Sequence, residues 1–151
     1  MESQEARGLF ERGRELLLKG RPREALACFD AALELEPSDA RLLSHRGLCL
    51  ALFERRLEEG LALCRRAVEL EFYRAEHYLH LAKVYLHAGR KREAVRALRQ
   101  GRTIEPEHPG IRRELEALGI RRPPVLRCLP RRHVLNRHLG LLRARLSRGW
   151  R

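Results

Sequence analysis

The sequence predicts an all-α fold, a right-handed α-solenoid of three stacked helical hairpins with a capping helix and a basic C-terminal helix. Small residues recur at one period of 34 or 35 residues, in two series: Ala25, Gly60 and Ala94, and Ala32, Ala67 and Gly101. Pro37 and Pro106 are separated by 69 residues, which is two such periods. Repetition at this length is typical of helical repeat proteins, in which each hairpin buries its apolar face only against its neighbours.

Helix boundaries follow from residues with restricted or permissive backbones. Gly20 and Gly89 stand where a helix would end in the left-handed conformation, and each is followed closely by a new apolar periodicity. Pro22 suits the first turn of a helix, while Pro37-Ser38-Asp39 should stop one helix and cap the next. The second repeat is one residue longer than the others, and we place the extra residue in the turn near Glu54 to Arg56.

The repeated residues resemble the tetratricopeptide repeat family, whose pattern combines spaced aromatic or leucine positions, a small residue, Ala-x-x-x-Phe and a proline. The first repeat matches at Leu9, Gly13, Leu16, Ala25, Phe29 and Pro37, and the third at Tyr78, Leu81, Ala82, Tyr85, Ala94, Leu98 and Pro106. The second is weaker, with Leu43, Gly47, Leu50, Gly60 and Cys64, and with Phe72 in place of proline. The resemblance implies repeats over about 6–39, 40–74 and 75–108. A capping helix over 109–119 and a basic tail over 120–151 would follow.

Composition restricts the class of protein. The chain has 151 residues, of which 44% are apolar and 34% charged, so it can form a core but has no room for a membrane-spanning helix. The segment Met1 to Glu5 lacks the features of a signal peptide, and the four cysteines include no C-x-x-C pair. We therefore expect reduced thiols and a cytoplasmic protein.

Neither catalysis nor a cofactor is predicted, because the sequence has no phosphate-binding loop, nucleophile elbow or zinc-protease motif. Cys28 and Cys64 fall on internal helix faces and are interpreted as small buried hydrophobes.

The histidines require a separate interpretation. His77, His80 and His87 share one helix, and His45 lies on the corresponding helix of the second repeat. Imidazoles at such spacings can bind a divalent transition metal. The favoured interpretation is that they are polar residues lining a groove, because no carboxylate or cysteine accompanies them at a diagnostic spacing. No metal site is predicted.

The family resemblance implies that the first helix of each hairpin lines a concave groove for an extended peptide or partner helix. By helical position, the predicted lining is Arg7, Phe10, Arg14, Leu17, Leu18, Arg41, Ser44, His45, Leu48, Leu52, Glu76, Leu79, His80, Lys83 and His87. Arg14, Arg41 and Lys83 would attract an acidic group, and about half of the apolar members should instead pack within the repeats. The leading functional prediction is thus a non-catalytic module that binds a protein or peptide, as an adaptor, scaffold or assembly factor.

Co-chaperones of this family grip a terminal carboxylate with lysines, asparagines and an arginine. The matching positions here hold Phe10, Arg14, His45, Glu76 and His80. Arg14 alone has a comparable charge, and Glu76 would repel a carboxylate. The sequence therefore predicts that this carboxylate clamp is absent.

The positive charge is concentrated at one end of the chain. Of the formal net charge of +12, residues 120–151 contribute +10, from ten arginines and no acid. The candidate residues of this tail are Arg131, Arg132, Leu135, Leu139, Leu142, Arg143, Arg145 and Trp150. The tail could dock through its leucines on the repeats or a second subunit, contact an anionic membrane surface, or bind nucleic acid. Docking is favoured because the leucines recur at helical spacing, and binding to an anionic surface is the alternative function.

Overall fold

The computed structural model of the chain describes residues 3–119, 134–135 and 138–139. Residues 3–119 contain seven α-helices and no strand. The helices are α1 (Gln4–Leu18), α2 (Pro22–Leu35), α3 (Ala40–Phe53), α4 (Leu57–Leu70), α5 (Ala75–His87), α6 (Lys91–Ile104) and α7 (Pro109–Ala117). Helices α1 to α6 pack as three successive antiparallel pairs, and each pair contacts the next. The predicted all-α solenoid of helical hairpins is confirmed.

The two helices of each hairpin are joined by a tight turn with one residue in the left-handed conformation. This residue is Gly20 in the first hairpin and Gly89 in the third, both with φ of 71°. Glycine is favoured there because it has no Cβ to clash with the backbone. In the second hairpin the position is occupied by Arg55, with φ of 58°. The middle turn therefore keeps the same backbone course with a residue that adopts it less readily.

The extra residue of the second repeat is accommodated at this middle turn. In the first hairpin the Arg21 N–H donates to the Leu16 carbonyl, five residues earlier, at 2.8 Å. In the second hairpin the Arg56 N–H donates to the Leu50 carbonyl, six residues earlier, at 3.0 Å. The loop closed by the hydrogen bond is one residue wider, so the change in spacing does not disturb the packing of the helices on either side.

The beginnings of the helices follow the residues that predicted them. The Asp39 carboxylate accepts hydrogen bonds from the backbone N–H groups of Arg41, at 2.7 Å, and Leu42, at 3.3 Å, at the start of α3. Pro22 is in the first turn of α2, where its missing N–H removes no helical hydrogen bond. These caps fix where the first helix of the second hairpin, and the second helix of the first, begin.

Small residues allow the two helices of a hairpin to approach each other closely. A Cβ atom added to Gly60 on α4 would lie 2.5 Å from the carbonyl oxygen of Gly47 and 2.7 Å from the Cβ of Ala51, both on α3. The equivalent residues Ala25 and Ala94 are fully buried in the other two hairpins. Small side chains at these periodic positions therefore let the paired helices approach closely.

The seventh helix covers the end of the third hairpin. Ile111 and Leu115 of α7 are almost fully buried, and a Cβ atom on Gly101 of α6 would lie 2.6 Å from the Ile111 side chain. Gly119 ends the segment in the left-handed conformation. The residues expected to form a capping helix therefore do so, and they close the open apolar face of α5 and α6.

The predicted basic tail falls mostly outside the described residues, which include neither Arg131, Arg132, Leu142, Arg143, Arg145 nor Trp150. Of the leucines in the predicted tail helix, Leu135 and Leu139 are described, and both have helical backbone. No helix in the described ranges is long and apolar enough to cross a lipid bilayer.

Candidate functional site

Three side chains form a continuous row across the first helices of the hairpins. The Phe10 ring of α1 meets the His45 ring of α3 edge-on, with 5.1 Å between centroids. His45 in turn meets His80 of α5 edge-on at 4.6 Å. Phe29 of α2 lies behind this row, 5.4 Å from the His45 ring. The structure thus brings together residues that are 35 positions apart in the sequence, as stacked repeats require.

Two arginines flank the aromatic end of this row. The guanidinium groups of Arg14 and Arg41 lie 5.7 Å and 5.2 Å from the Phe10 ring centroid, within the range of a cation–π interaction. Arg14 is also paired with Glu11 at 3.1 Å, and Arg41 with Asp39 at 2.7 Å. Both arginines are therefore held in position beside Phe10, each with a carboxylate partner.

The remaining predicted groove residues differ widely in exposure. Those exposed to solvent are Arg7, Arg14, Leu18 and His87, and those half-buried are Leu17, Arg41, Leu52, Glu76 and Lys83. The buried members are Phe10, Ser44, His45, Leu48, Leu79 and His80. Leu79 packs against the start of α7, where a Cβ on Gly110 would lie 2.5 Å from it. The open part of the face is accordingly more polar than helical position alone indicates.

Hydrogen bonds fix the two central imidazoles. The Nδ1 of His45 lies 2.9 Å from the Arg41 carbonyl oxygen, which can only accept, so Nδ1 carries the proton. The Nδ1 of His80 is 2.8 Å from the hydroxyl of Ser44, which is fully buried. Ser44 therefore orients the His80 ring through this hydrogen bond and has no exposed surface that could contact a ligand.

Burial keeps these imidazoles neutral. It lowers the pKa of His45, although the Arg41 carbonyl and Glu76 act in the opposite direction. It lowers the pKa of His80 much further, and nearby His45 and Lys83 add to the effect. Neutral imidazole can accept a proton or bind a metal ion, which the charged form cannot.

The three histidines of α5 lie in three different environments. His80 joins the central row, whereas His87 is exposed near the end of the helix. His77 is buried, and its Nε2 lies 3.2 Å from the Glu71 carboxylate. The sequence places all three on one helix, but the structure groups His80 with His45 and Glu76, whose ligand atoms all lie within 4.8 Å of one another.

This grouping corrects one premise of the sequence analysis. Glu76 and His80 are four residues apart, a spacing that places both on one face of α5. A carboxylate therefore does accompany the histidine at a meaningful spacing. The sequence signal for this grouping is the four-residue spacing of Glu76 and His80, which spacings between histidines alone do not reveal.

Cys49 and Cys64 are buried thiols with a raised pKa. Burial raises the pKa of both Cys49 and Cys64 to about 12, and their side chains are fully enclosed. Cys28 is half-buried and packs beside the core of the first hairpin. Among these three cysteines, none is in a disulfide.

Comparison with known proteins relates the first two hairpins to the tetratricopeptide repeat family. A sequence profile described as tetratricopeptide repeat matches residues 10–76. A Dictyostelium discoideum protein, the STIP1 homolog, is 32% identical over 92 residues, covering 61% of this chain and 16% of that protein. The chain thus spans less than a fifth of the length of this curated relative.

Solved structures extend the likeness to the third hairpin. The first tetratricopeptide repeat domain of Spaghetti (RPAP3), bound to the HSP90 peptide SRMEEVD, superposes with a TM-score of 0.66 at 20% identity, covering 79% of this chain and 94% of that one. The TPR2B domain of yeast Sti1, in a complex with pHsp70, has a TM-score of 0.65 at 24% identity, covering 77% and 94%. Residues 10–76 thus match the tetratricopeptide repeat family, and the described hairpins share the fold of tetratricopeptide repeat domains, as the repeated residues indicated.

Proposed function

We propose that the chain is a non-catalytic interaction module whose concave face, formed by α1, α3 and α5, binds an extended peptide or helix from a protein partner. The row formed by Phe10, His45 and His80 supports this proposal, because it joins the first helices of all three hairpins into one face. Proteins of the same fold hold peptides: the Spaghetti domain is bound to an HSP90 peptide, and an RPAP3 domain to the HSP70 peptide SGPTIEEVD.

The charges on this face favour a ligand with an acidic group near α1. Arg14 and Arg41 lie together over Phe10, and the half-buried Lys83 of α5 is a third cation on the same face. Apolar contact would come from the half-buried Leu17 and Leu52. We infer a peptide that combines apolar side chains with an acidic one, since such sites use apolar area for burial and a few charges for orientation.

A free C-terminal carboxylate at the centre of the face is not the ligand we propose. The Glu76 carboxylate is partly exposed there and lies 4.0 Å from the His45 Nε2. An incoming carboxylate would meet this negative charge and two neutral imidazoles, where a clamp requires cations. We therefore expect the peptide SRMEEVD, which the Spaghetti domain binds, to bind this chain more weakly than it binds that domain in fluorescence anisotropy.

The direct test is peptide selection against the immobilised chain, followed by charge removal. Peptides selected from a random display library should bind the variant Arg14→Ala/Arg41→Ala/Lys83→Ala about tenfold more weakly at low salt, since partly exposed charge pairs contribute about 0.5 kcal/mol each. The difference should shrink as salt rises, because the screening length is about 10 Å at 0.1 M.

The matched control removes three arginines from one exposed helix face. Arg92, Arg96 and Arg99 are exposed on α6, the second helix of the third hairpin. Replacing these three by alanine changes the net charge equally and should leave peptide affinity unchanged. Equal weakening by both triple variants would assign the effect to overall charge and refute the proposed face.

The basic tail carries a separate hypothesis. Binding to an anionic membrane surface or to nucleic acid would depend on the ten arginines of residues 120–151 and not on α1, α3 and α5. If removing residues 120–151 abolished all partner binding, while the variant Arg14→Ala/Arg41→Ala/Lys83→Ala retained it, the function would be assigned to the tail. We propose the cytoplasm as the compartment, as the sequence predicts.

A further inference from the structure

Three metal-ligating side chains from two neighbouring helices converge at the centre of the concave face. His45 comes from α3, and Glu76 and His80 come from α5. One ligand atom from each residue lies within 4.8 Å of the other two, and both histidines are buried while Glu76 is half-buried. Tetrahedral zinc with bonds of about 2.1 Å holds its ligand atoms about 3.4 Å apart. A rotation of the partly exposed Glu76 side chain can bring its carboxylate closer to the two imidazoles and supply much of this difference in distance.

Each histidine is oriented as a metal ligand would be. His45 donates its Nδ1 proton to the Arg41 carbonyl at 2.9 Å, which leaves the Nε2 lone pair available. The Nδ1 of His80 lies 2.8 Å from the Ser44 hydroxyl. The hydroxyl oxygen can accept a hydrogen bond from a protonated Nδ1, which leaves the Nε2 lone pair of His80 available to a metal ion. Histidine ligands in metal sites are held in this way, with the second ring nitrogen donating to a carbonyl or another oxygen.

The electrostatics at the centre favour a cation. The Nε2 of His45 has a lone pair and no proton, and the Glu76 carboxylate oxygen is 4.0 Å away. Two electron-rich atoms thus face each other without a hydrogen bond between them. A metal ion bound between His45, Glu76 and His80 would accept a lone pair from each of the three side chains.

We propose that His45, Glu76 and His80 form a binding site for a divalent transition metal ion of the zinc type. Two imidazole nitrogens and one carboxylate suit zinc, cobalt or nickel, whereas magnesium and calcium prefer ligand sets made only of oxygen. Three protein ligands leave at least one coordination position open. Zinc binding can be tested without a peptide, since it concerns only these three side chains and their hydrogen-bond partners. A bound ion would add positive charge at the centre of the face, so the SRMEEVD measurement is made with a chelator present.

The experiment is a calorimetric titration of the full chain with zinc chloride, repeated on variants. Glu76→Gln removes the negative ligand at a half-buried position with almost no change in shape. His45→Gln removes an imidazole. His87→Gln is the matched control, because His87 lies on the same helix as His80 but is exposed and outside the cluster. Circular dichroism of each variant establishes that the fold is retained.

We expect one zinc ion per chain in the unmodified protein. Loss of a supporting residue around a metal costs about 10-fold to 100-fold in affinity, so loss of a ligand in Glu76→Gln or His45→Gln should cost at least as much. His87→Gln should bind as tightly as the unmodified chain, and excess magnesium should not compete. Cobalt should give a visible spectrum without a thiolate charge-transfer band.

Three results would overturn the proposal. They are the absence of saturable zinc binding, unchanged affinity in Glu76→Gln, and a thiolate band in the cobalt spectrum, which would assign the metal to cysteine. If His45→Gln fails to fold, Glu76→Gln decides alone, because its side chain is partly exposed and its replacement is isosteric.

Discussion

The contact between α3 and α4 provides a sharp test of how the hairpins are packed. In the variant Gly60→Ala the new methyl group would lie 2.5 Å from the Gly47 carbonyl oxygen, closer than the 3.0 Å under which Cβ contacts essentially never occur. The atom in the way belongs to the backbone of α3, so no side chain can rotate aside. The two helices must move apart, which disturbs every contact along the pair.

The magnitude follows from two opposing terms. Overpacking a well-packed interior costs about 1–3 kcal/mol of unfolding free energy. Replacing glycine by alanine in a helix returns about 0.5–1 kcal/mol, because alanine loses less conformational entropy on folding. We expect Gly60→Ala to lower the free energy of unfolding by about 1 kcal/mol, with an upper limit of about 2.5 kcal/mol.

The chain contains its own control. Gly8 lies in α1, is exposed, and a Cβ atom there would have nothing within 4 Å. Gly8→Ala should therefore raise stability by about 0.5–1 kcal/mol through the helix term alone. Urea unfolding followed by circular dichroism gives both values, and their difference isolates the cost of overpacking. If Gly60→Ala proved as stable as Gly8→Ala, the close approach of α3 and α4 described above would be wrong.

Three further predictions concern the repeats, a helix cap and the cysteines. Ala94 is fully buried, so Ala94→Leu should destabilise by about 1–3 kcal/mol with helix content retained, and an unchanged thermal midpoint would contradict the assigned repeat register. Asp39→Ala should cost about 1 kcal/mol by removing the cap of α3. Burial alone would raise the pKa of Asp39, but its hydrogen bonds to Arg41 and Leu42 hold it below 3.8. Its carboxylate therefore stabilises the fold above pH 3.8. The charge-dependent part of the difference in unfolding free energy between the unmodified chain and Asp39→Ala should shrink as the pH falls through the folded pKa. A constant difference down to pH 2 would refute the role of the charge. Cys49 and Cys64, with pKa values of about 12, should resist thiol labelling at neutral pH until the chain unfolds, whereas Cys28 should label first; peptide mapping by mass spectrometry distinguishes them.

Much of the architecture was predictable because it depends on short-range backbone preferences repeated at a fixed period. Gly20 and Gly89 adopt the left-handed conformation that only glycine reaches without strain, and Asp39 caps α3 as its position before an apolar helix indicates. The small residues at the helix crossings recur for the same steric reason in each hairpin. Such signals are local, so one sequence carries them without knowledge of the partners in space.

The middle turn shows where local signals end. Arg55 occupies the left-handed position that glycine holds in the other two hairpins. Its own preference opposes that conformation by about 1–2 kcal/mol. The packing of α3 against α4 on either side fixes the turn, so tertiary contacts override the local preference of Arg55. The sequence alone does not show that they do so.

The candidate site needed the tertiary structure for a different reason. The predicted groove residues all lie on α1, α3 and α5, but helical position does not show which of them are open to a ligand. Ser44 is buried beneath His80, while Leu18 is 88% exposed, although both were assigned to one face.

By itself, then, the sequence determined the helices, the cap of α3, the repeat period and the resemblance to the tetratricopeptide repeat family. Only the tertiary structure decided that His45 meets Glu76 and His80, because they lie 31 and 35 residues away and belong to a different hairpin. Periodicity fixes which residues share a helix face. The distance between donor atoms on two helices depends on how closely the hairpins stack and on the hydrogen bonds that orient each ring, and both arise only when the repeats are packed together.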